Sequence, residues 1–216
     1  MIIKNFELDK INIKNFNLFL FYGDNQGFKD EIVEKICQQK NLKKTLYFEK
    51  EVLSNTENFL NSISTKSFFE NEKIIVIKNA TDKLKEMIND IYELQNPDIT
   101  VILISDLLDK KSKLRNFFEK TNNVICIPFY PDEHKNLNMI ASNFFKKKGI
   151  KISQQTINLI IDRANQSRQH LNNELQKIEN FALNKKEIRG VDIIKLTNLG
   201  KNYEISELVE TCLAKN

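Results

Sequence analysis

Residues 18–36, LFLFYGDNQGFKDEIVEKI, place a short apolar run, a turn and an amphipathic stretch in direct succession. The run LFLFYG has the length and composition of a buried strand, and it ends at Gly23. From Asp30 onward, apolar residues recur at the three- and four-residue spacing that puts them on one face of a helix. The stretch therefore predicts a strand, a tight loop and a helix, which is how a layered α/β domain begins.

The same alternation continues along the first part of the chain. Four more runs have strand character: TLYFEKE (45–51), KIIVIKN (73–79), TVILISD (100–106) and NVICIPF (123–129). Three of them contain continuous β-branched segments, which are typical of strands covered on both faces. Helical patterns lie between them; one opens with a capping box at Ser54 and Glu57, and others follow Thr81 and Asp109. This order predicts a parallel five-stranded sheet between layers of helices.

No strand pattern follows Pro131. Amphipathic helices are predicted instead over residues 134–149, 153–165, 167–183 and 190–198. We therefore expect an α/β domain over 1–132 and a small all-helical domain over 133–198. The last stretch, 199–216, begins another amphipathic helix without a partner, so we expect it to open a further helical domain that this sequence truncates.

Composition describes an ordinary folded protein, with 41% apolar and 29% charged residues and a net charge of +4. The three cysteines, Cys37, Cys126 and Cys212, match no metal-binding or redox spacing, so reduced thiols are expected. No stretch approaches the roughly 20 apolar residues of a membrane span, and the amino terminus lacks a signal peptide's apolar core. We expect a soluble cytoplasmic protein without membrane contact.

The loop after the first strand half matches the phosphate-binding P-loop, G-x-x-x-x-G-K-[ST]. Gly23 and Lys29 stand at the first glycine and at the phosphate-binding lysine. Phe28 occupies the second glycine, where it restricts the turn and fills space that phosphates need. Asp30 occupies the magnesium-binding hydroxyl, and its charge repels phosphate at the start of the helix. The motif is therefore degenerate.

The third strand departs from a nucleotide site independently. It ends in Lys78 and Asn79, where an acidic pair would hold magnesium and orient water. Both halves of the hydrolysis machinery are therefore missing, and we expect no catalytic residue, no metal and no cofactor. We expect Lys29 to be a solvated lysine in the first helical turn; the alternative is that it still binds nucleotide together with Gly23.

An α/β core with a P-loop-like turn, followed by a helical domain, resembles the AAA+ ATPases of the P-loop NTPase class. More closely, the chain resembles the delta subunit of the bacterial DNA polymerase III clamp loader. The motifs are LFYGDNQGFKDEIVEKI, TKSFFENEKIIVIKN, VILISDLLDKKSKLRNFFEK and NELQKIENFAL. The resemblance implies a non-catalytic subunit of the polymerase III holoenzyme, which binds the ring-shaped sliding clamp (beta subunit) and holds it open while other subunits hydrolyse ATP. The implied partners are that clamp, gamma or tau and delta-prime subunits, and primed DNA through the assembled complex.

The resemblance also implies a clamp-contacting element before the third strand, in STKSFFENEK (64–73). Phe68 and Phe69 match the family's apolar pair, and Ser67 precedes them. The pair lies in a polar segment between a helix and a strand, a setting typical of an interface anchor. The alternative is that at least one ring is buried in the free protein, as we expect for the Phe-Phe pairs at 117–118 and 144–145.

Other polar residues give weaker signals. His134 and His170 lie far from each other and from any carboxylate cluster, so no metal or acid–base site is predicted. Ser105 stands near the position of the polar sensor of AAA+ ATPases. Arg163 and Arg168 lie near the second sensor arginine, but ANQSRQHL is out of register with that motif, so the role is not assigned.

Two other function classes stay open. One is a divergent P-loop ATPase that binds nucleotide through Gly23 and Lys29, and magnesium-dependent ATP binding would identify it. The other is a DNA-binding accessory protein, whose affinity would fall steeply with salt. The lysine clusters that would serve it are expected to be solvated faces in this lysine-rich sequence.

Overall fold

The computed structural model describes residues 13–64 and 72–182, together with 192, 195 and 196. The chain divides into two compact units, Met1–Pro131 and Asp132–Asn216. Within the described ranges, no helix has the length and apolar character needed to cross a membrane. The predicted further domain at 199–216 lies outside the described residues.

The first unit contains a sheet of five parallel strands with helices on both faces, which confirms the predicted fold class. The strands are β1 (Leu18–Tyr22), β2 (Lys44–Phe48), β3 (Lys73–Lys78), β4 (Ile99–Ser105) and β5 (Ile125–Pro128). The helices are α1 (Gln26–Lys40), α2 (Glu49–Ser54), α3 (Thr56–Ser64), α4 (Lys85–Leu94) and α5 (Lys113–Lys120). Short 3₁₀ turns occupy Ile13–Asn15 and Asp82–Leu84. The strand order is β2-β3-β4-β1-β5.

Side-chain alternation along the strands builds a core on each face of the sheet. From β1, Leu18 and Leu20 contribute to a core shared with α3, α4 and α5. Phe19 and Phe21 point to the opposite face, where α1 supplies Ile32 and its neighbours. All seven residues of β4 are buried, as expected for a central strand of a parallel sheet.

The connection after β2 differs from the prediction in two respects. The strand ends at Phe48, because the Glu51 carboxylate accepts the Phe48 backbone N–H at 2.8 Å and starts α2. The predicted capping box at Ser54 is wrong. Ser54 is the last residue of α2, and its hydroxyl donates to the backbone carbonyl of Glu51 at 2.8 Å.

The second unit is helical in its described part, with α6 (His134–Lys148), α7 (Gln154–Arg163) and α8 (Arg168–Ala182). Ser153 caps α7 by accepting the Thr156 backbone N–H, and Gly149 ends α6 at φ +67°. The three helices share a core of their own. Most of the predicted helix at 190–198 lies outside the described residues.

Candidate functional site

The site predicted from the P-loop comparison lies where β1 ends, at the end of the sheet that we call the carboxyl edge. Gly23 has φ +120°, and a β-carbon there would lie 2.3 Å from the Phe129 carbonyl oxygen. Its N–H donates to the Asp106 carbonyl at 3.1 Å. Glycine is therefore required because the backbone after β5 approaches the loop closely, independently of any phosphate.

Asn25 anchors the start of α1 to the end of β5. Its side-chain oxygen accepts the Phe28 N–H at 3.1 Å, and its amide nitrogen donates to the Tyr130 carbonyl at 3.0 Å. Its backbone N–H donates to the Phe129 carbonyl. In a P-loop, backbone donors at the helix start face the phosphates. Here the Phe28 and Asn25 N–H groups bond within the protein.

Lys29 is buried, with 1% of its surface exposed, so the prediction of a solvated lysine is wrong. Its ammonium donates to the Gly23 carbonyl at 2.8 Å and to the Ser105 carbonyl at 2.9 Å. The ammonium thus supplies a donor to two carbonyl groups of buried residues, which need partners within the protein. We call this contact the Lys29 bridge.

Acidic side chains surround the Lys29 bridge. Burial lowers the pKa of the Lys29 ammonium below its ordinary value. Carboxylates nearby act in the opposite direction, and they belong to Asp106, Asp30 and Asp24. A triphosphate would bring further negative charge toward these groups.

Phe28 and Asn79 fill two positions of the degenerate motifs with structural contacts. The Phe28 ring packs edge-on against Phe129, with ring centroids 5.3 Å apart, and adds to the core on the α1 face. Asn79 has φ +59°, a left-handed conformation that asparagine tolerates, and forms the turn after β3. The next N–H, from Ala80, donates to the Ile104 carbonyl at 3.0 Å.

The residues at the two positions that would hold magnesium form an ion pair with each other. Asp30 stands at the hydroxyl position and Lys78 at the acidic position, and their charged atoms lie 3.8 Å apart. Gln26 also donates to Asp30 at 3.0 Å. Both members of the ion pair are partly exposed, so it contributes little to stability. It leaves no acidic group from β3 for a metal ion.

Ser105, the sensor-like residue, also binds within the protein, since its hydroxyl donates to the Ala80 carbonyl at 2.6 Å. A second contact of this edge, made by the buried Glu49, was not predicted from the sequence. The Glu49 carboxylate accepts the Thr81 N–H at 2.6 Å and the Thr81 hydroxyl at 3.0 Å. The link joins the start of α2 to the chain after β3. No local pattern around Glu49 signals it, because its partner is distant in sequence.

Asp82 makes a similar link to α5. Its carboxylate accepts the Ser112 hydroxyl at 2.6 Å and the N–H groups of Lys113 and Leu114 at 3.0 Å. Desolvation opposes ionisation, but the hydrogen bonds from Ser112, Leu114 and Lys113 outweigh it and lower the pKa of Asp82. The carboxyl edge is thus held by polar contacts between neighbouring connections.

In the second unit, Arg168 forms a buried ion pair with Asp132. Its Nη2 lies 2.9 Å from Asp132 Oδ1 and its Nε lies 2.8 Å from Oδ2. The guanidinium thus contacts both carboxylate oxygens of Asp132. His134 lies 3.9 Å from Asp162 at an exposed position, and His170 is exposed. Across the described ranges, no cluster of metal-ligating side chains occurs.

The predicted clamp-contacting residues Ser67, Phe68 and Phe69 lie outside the described residues. What the structure describes is the two ends of that segment. α3 ends at Ser64, and β3 begins at Lys73, whose N–H donates to the Asp98 carbonyl at 2.9 Å.

The order of the strands and the loop after β1 together define the structural class of this protein. A parallel sheet ordered β2-β3-β4-β1-β5, with a turn into a helix after β1, is an AAA+-like α/β fold of the P-loop type. In this chain the turn carries a degenerate motif. A family model for the DNA polymerase III delta subunit matches residues 19–128, slightly more than half of the chain. The chain belongs to the DNA polymerase III delta subunit family.

Solved structures share the fold at low identity. The Bacillus subtilis DNA clamp loader delta protein (YqeN) gives a TM-score of 0.54 and 17% identity, over 88% of this chain and 60% of that one. The Thermotoga maritima RuvB Holliday junction branch migration motor gives 0.57 and 12%, over 87% and 64%. A Walker-type ATPase of Pyrococcus abyssi gives 0.51 and 14%, over 96% and 74%.

The present chain therefore spans less than two thirds of the length of the first two structures. Among proteins of curated function, none matches this sequence.

Proposed function

We propose that this protein is a clamp-loader delta subunit that binds and opens the sliding clamp for loading onto primed DNA, without hydrolysing ATP itself. The observation that carries the proposal is the Lys29 bridge in a member of the delta family. The side chain that would bind phosphate is directed to two backbone carbonyls. The protein then acts in the cytoplasm as a non-catalytic subunit, with gamma or tau and delta-prime subunits and, through them, primed DNA.

Several requirements of ATP hydrolysis are unmet at the carboxyl edge. Lys29 has two protein acceptors, and Lys78 brings a positive charge where magnesium would be held. Releasing Lys29 would leave two buried carbonyl groups without this donor, at a cost of about 1–3 kcal/mol each. This supports a binding role rather than an ATPase.

The proposed clamp-binding residues are Ser67, Phe68 and Phe69. Aromatic side chains dominate the binding energy of many protein interfaces, because each ring buries a large area at a small cost in conformational freedom. The segment joins α3 to β3, so a partner bound to it would lie at the end of the sheet opposite the degenerate nucleotide motif.

The test is calorimetric titration of the full chain with its sliding clamp. We expect Phe68→Ala/Phe69→Ala to weaken binding by more than about 2 kcal/mol, the scale of interface hot spots. Leu46→Ala/Phe48→Ala is the matched control, because both residues are exposed and apolar and lie on β2. Its affinity should equal that of the wild type.

Other outcomes separate function from site. Tight binding by both double variants would keep the function and reject Phe68 and Phe69 as the site. No binding by the wild type, together with magnesium-dependent ATP binding that Lys29→Ala abolishes, would replace the proposal with the ATPase. Salt-sensitive DNA affinity without clamp binding would favour the accessory protein.

A further inference from the structure

A short connector, residues 129–132, joins the two units of the chain. It follows β5, which ends at Pro128, and it precedes α6, which begins at His134. Phe129 is fully buried in the core on the α1 face, whereas Pro131 is exposed. In a connector this short, the contacts of a few residues decide how freely the chain can rotate there.

The first unit holds the start of the connector through the P-loop-like turn. Phe129 donates its N–H to the Tyr22 carbonyl at 2.7 Å, and its own carbonyl accepts the Asn25 N–H at 3.1 Å. The Asn25 side chain also donates to the Tyr130 carbonyl at 3.0 Å. The connector is therefore fixed to the first unit as far as the peptide bond that precedes Pro131.

The second unit holds the other end of the connector through Arg168, the first residue of α8. The Arg168 guanidinium contacts both carboxylate oxygens of Asp132, at 2.9 and 2.8 Å. Both side chains are nearly buried, with 9% of Arg168 and 5% of Asp132 exposed. Separating such a pair would leave a buried charge without its counterion, which is costly. Asp132 is therefore fixed to the helical unit directly after Pro131.

Few rotatable bonds remain between these two anchors. The ring of Pro131 restricts its own φ, and the residue before a proline is restricted as well. The Tyr130 carbonyl is held by Asn25, and the Asp132 carboxylate is held by Arg168. Rotation is therefore confined to ψ of Pro131 and φ of Asp132.

We propose that Asn25 and Arg168 act as two clasps on the connector, which limit the independent motion of the two units without any nucleotide. Domains of one chain ordinarily move relative to each other unless something restrains them. The P-loop-like turn would then have a structural task, because its Asn25 bonds to the connector rather than to a phosphate. Arg168, to which the sequence assigned no role, would have the corresponding task in the helical unit. The inference goes beyond the proposed function and does not depend on clamp binding.

The experiment measures residual dipolar couplings of backbone amides in the full chain, separately for the strands of the first unit and for α6–α8. The couplings give an alignment magnitude for each unit, and units that move together have equal magnitudes. We expect equal magnitudes in the wild type. Pro131→Gly releases φ and leaves both clasps in place, so the two magnitudes should then differ by at least about a third.

Two further variants open one clasp each. Asn25→Ser keeps an oxygen that can cap α1 but removes the donor to the Tyr130 carbonyl. Asp132→Ala/Arg168→Met removes both members of the ion pair, so that no buried charge is left without its partner. We expect each variant to make the two alignment magnitudes unequal, as Pro131→Gly does.

Ser153→Ala is the matched control, because it removes the cap of α7 rather than a bond to the connector. It should leave the two magnitudes equal. Unequal magnitudes in the wild type would overturn the proposal, as would equal magnitudes in Pro131→Gly and both clasp variants. An effect of only one clasp variant would reject the other clasp. The same inequality in Ser153→Ala would attribute the effect to lost stability of the helical unit and would also overturn the proposal.

Discussion

The two ends of the sheet differ in the contacts that their residues make, although the same strands run between them. At the carboxyl edge, the Lys29 bridge joins two strand ends and Asp30 pairs with Lys78. At the opposite end of the sheet, where the strands begin (the amino edge), a cavity of about 270 Å³ is lined by apolar and amide side chains. In open α/β sheets, ligands usually bind outside the carboxyl ends of the strands. Here Lys29 bridges two of those ends, and this cavity lies at the opposite edge.

The difference shows how a P-loop-like edge can be held by contacts within the protein. Lys29 and Ser105 both form internal hydrogen bonds at the carboxyl edge. A polar residue left unpaired in a buried place is costly. A buried residue of this edge that binds no phosphate is therefore expected to have a partner in the protein.

The largest effect is expected from Gly23→Ala. The added carbon would meet the Phe129 carbonyl at 2.3 Å, and φ is +120°, so we expect a loss of about 3 kcal/mol in the free energy of unfolding. Gly149→Ala is the matched control, since its φ is +67° and nothing lies near the added carbon. It should cost about 1 kcal/mol. Urea unfolding followed by circular dichroism measures both; equal losses would contradict the close approach.

A smaller effect is expected from Lys29→Met, at about 2 kcal/mol, because two buried carbonyl groups lose a charged donor while the removal of a desolvated charge offsets part of that loss. The counterpart at the amino edge is Lys40→Met. Lys40 donates to the side chains of Asn17 and Thr100 at a partly exposed position, so we expect about 1 kcal/mol or less. The same urea measurement compares them, and a larger loss for Lys40→Met would reverse the comparison between the edges.

The smallest effect, within a range that ends at about pH 11, is a pH dependence at the end of β1. Burial, with a contribution from Cys126, raises the pKa of Tyr22 from 10.0 to about 12. The folded state thus keeps a proton that the unfolded state releases. The stabilisation is complete below pH 10 and is lost as the pH rises through 10 to 12, by at most about 1.4 kcal/mol per pH unit.

Tyr22→Phe removes this titration, so its unfolding free energy should fall less over the same pH range than that of the wild type. Denaturant titrations at about pH 9, 10 and 11 give the two slopes. Identical slopes would show that the Tyr22 hydroxyl titrates alike in the folded and unfolded chain.

The sequence was sufficient for the order of strands and helices, because apolar runs and helical spacing are local signals. It was also sufficient to recognise the degenerate motif, since Phe28 and Asp30 replace the residue types that a P-loop requires at those two positions. The fate of Lys29 was not predictable in this way. A lysine in the first turn is ordinarily solvated, and the acceptor from Ser105 lies 76 residues away in the sequence.

The boundaries of α2 show the same limit on a smaller scale. Ser54 and Glu57 satisfy a capping box, yet Glu51 starts an earlier helix and Ser54 ends it. Two overlapping start signals compete there, and a single sequence does not rank them. The proposed clamp-binding residues remain a prediction from the family resemblance and the local pattern.

The Lys29 bridge also bears on how many substitutions a phosphate and magnesium site would need in this chain. A hydroxyl residue in place of Asp30 would leave Lys78 facing it, and an acid in place of Lys78 would put two carboxylates together. Turning Lys29 outward would remove a donor from the carbonyl groups of Gly23 and Ser105. The three positions are thus linked by their contacts, and a phosphate site here would need several of them changed together.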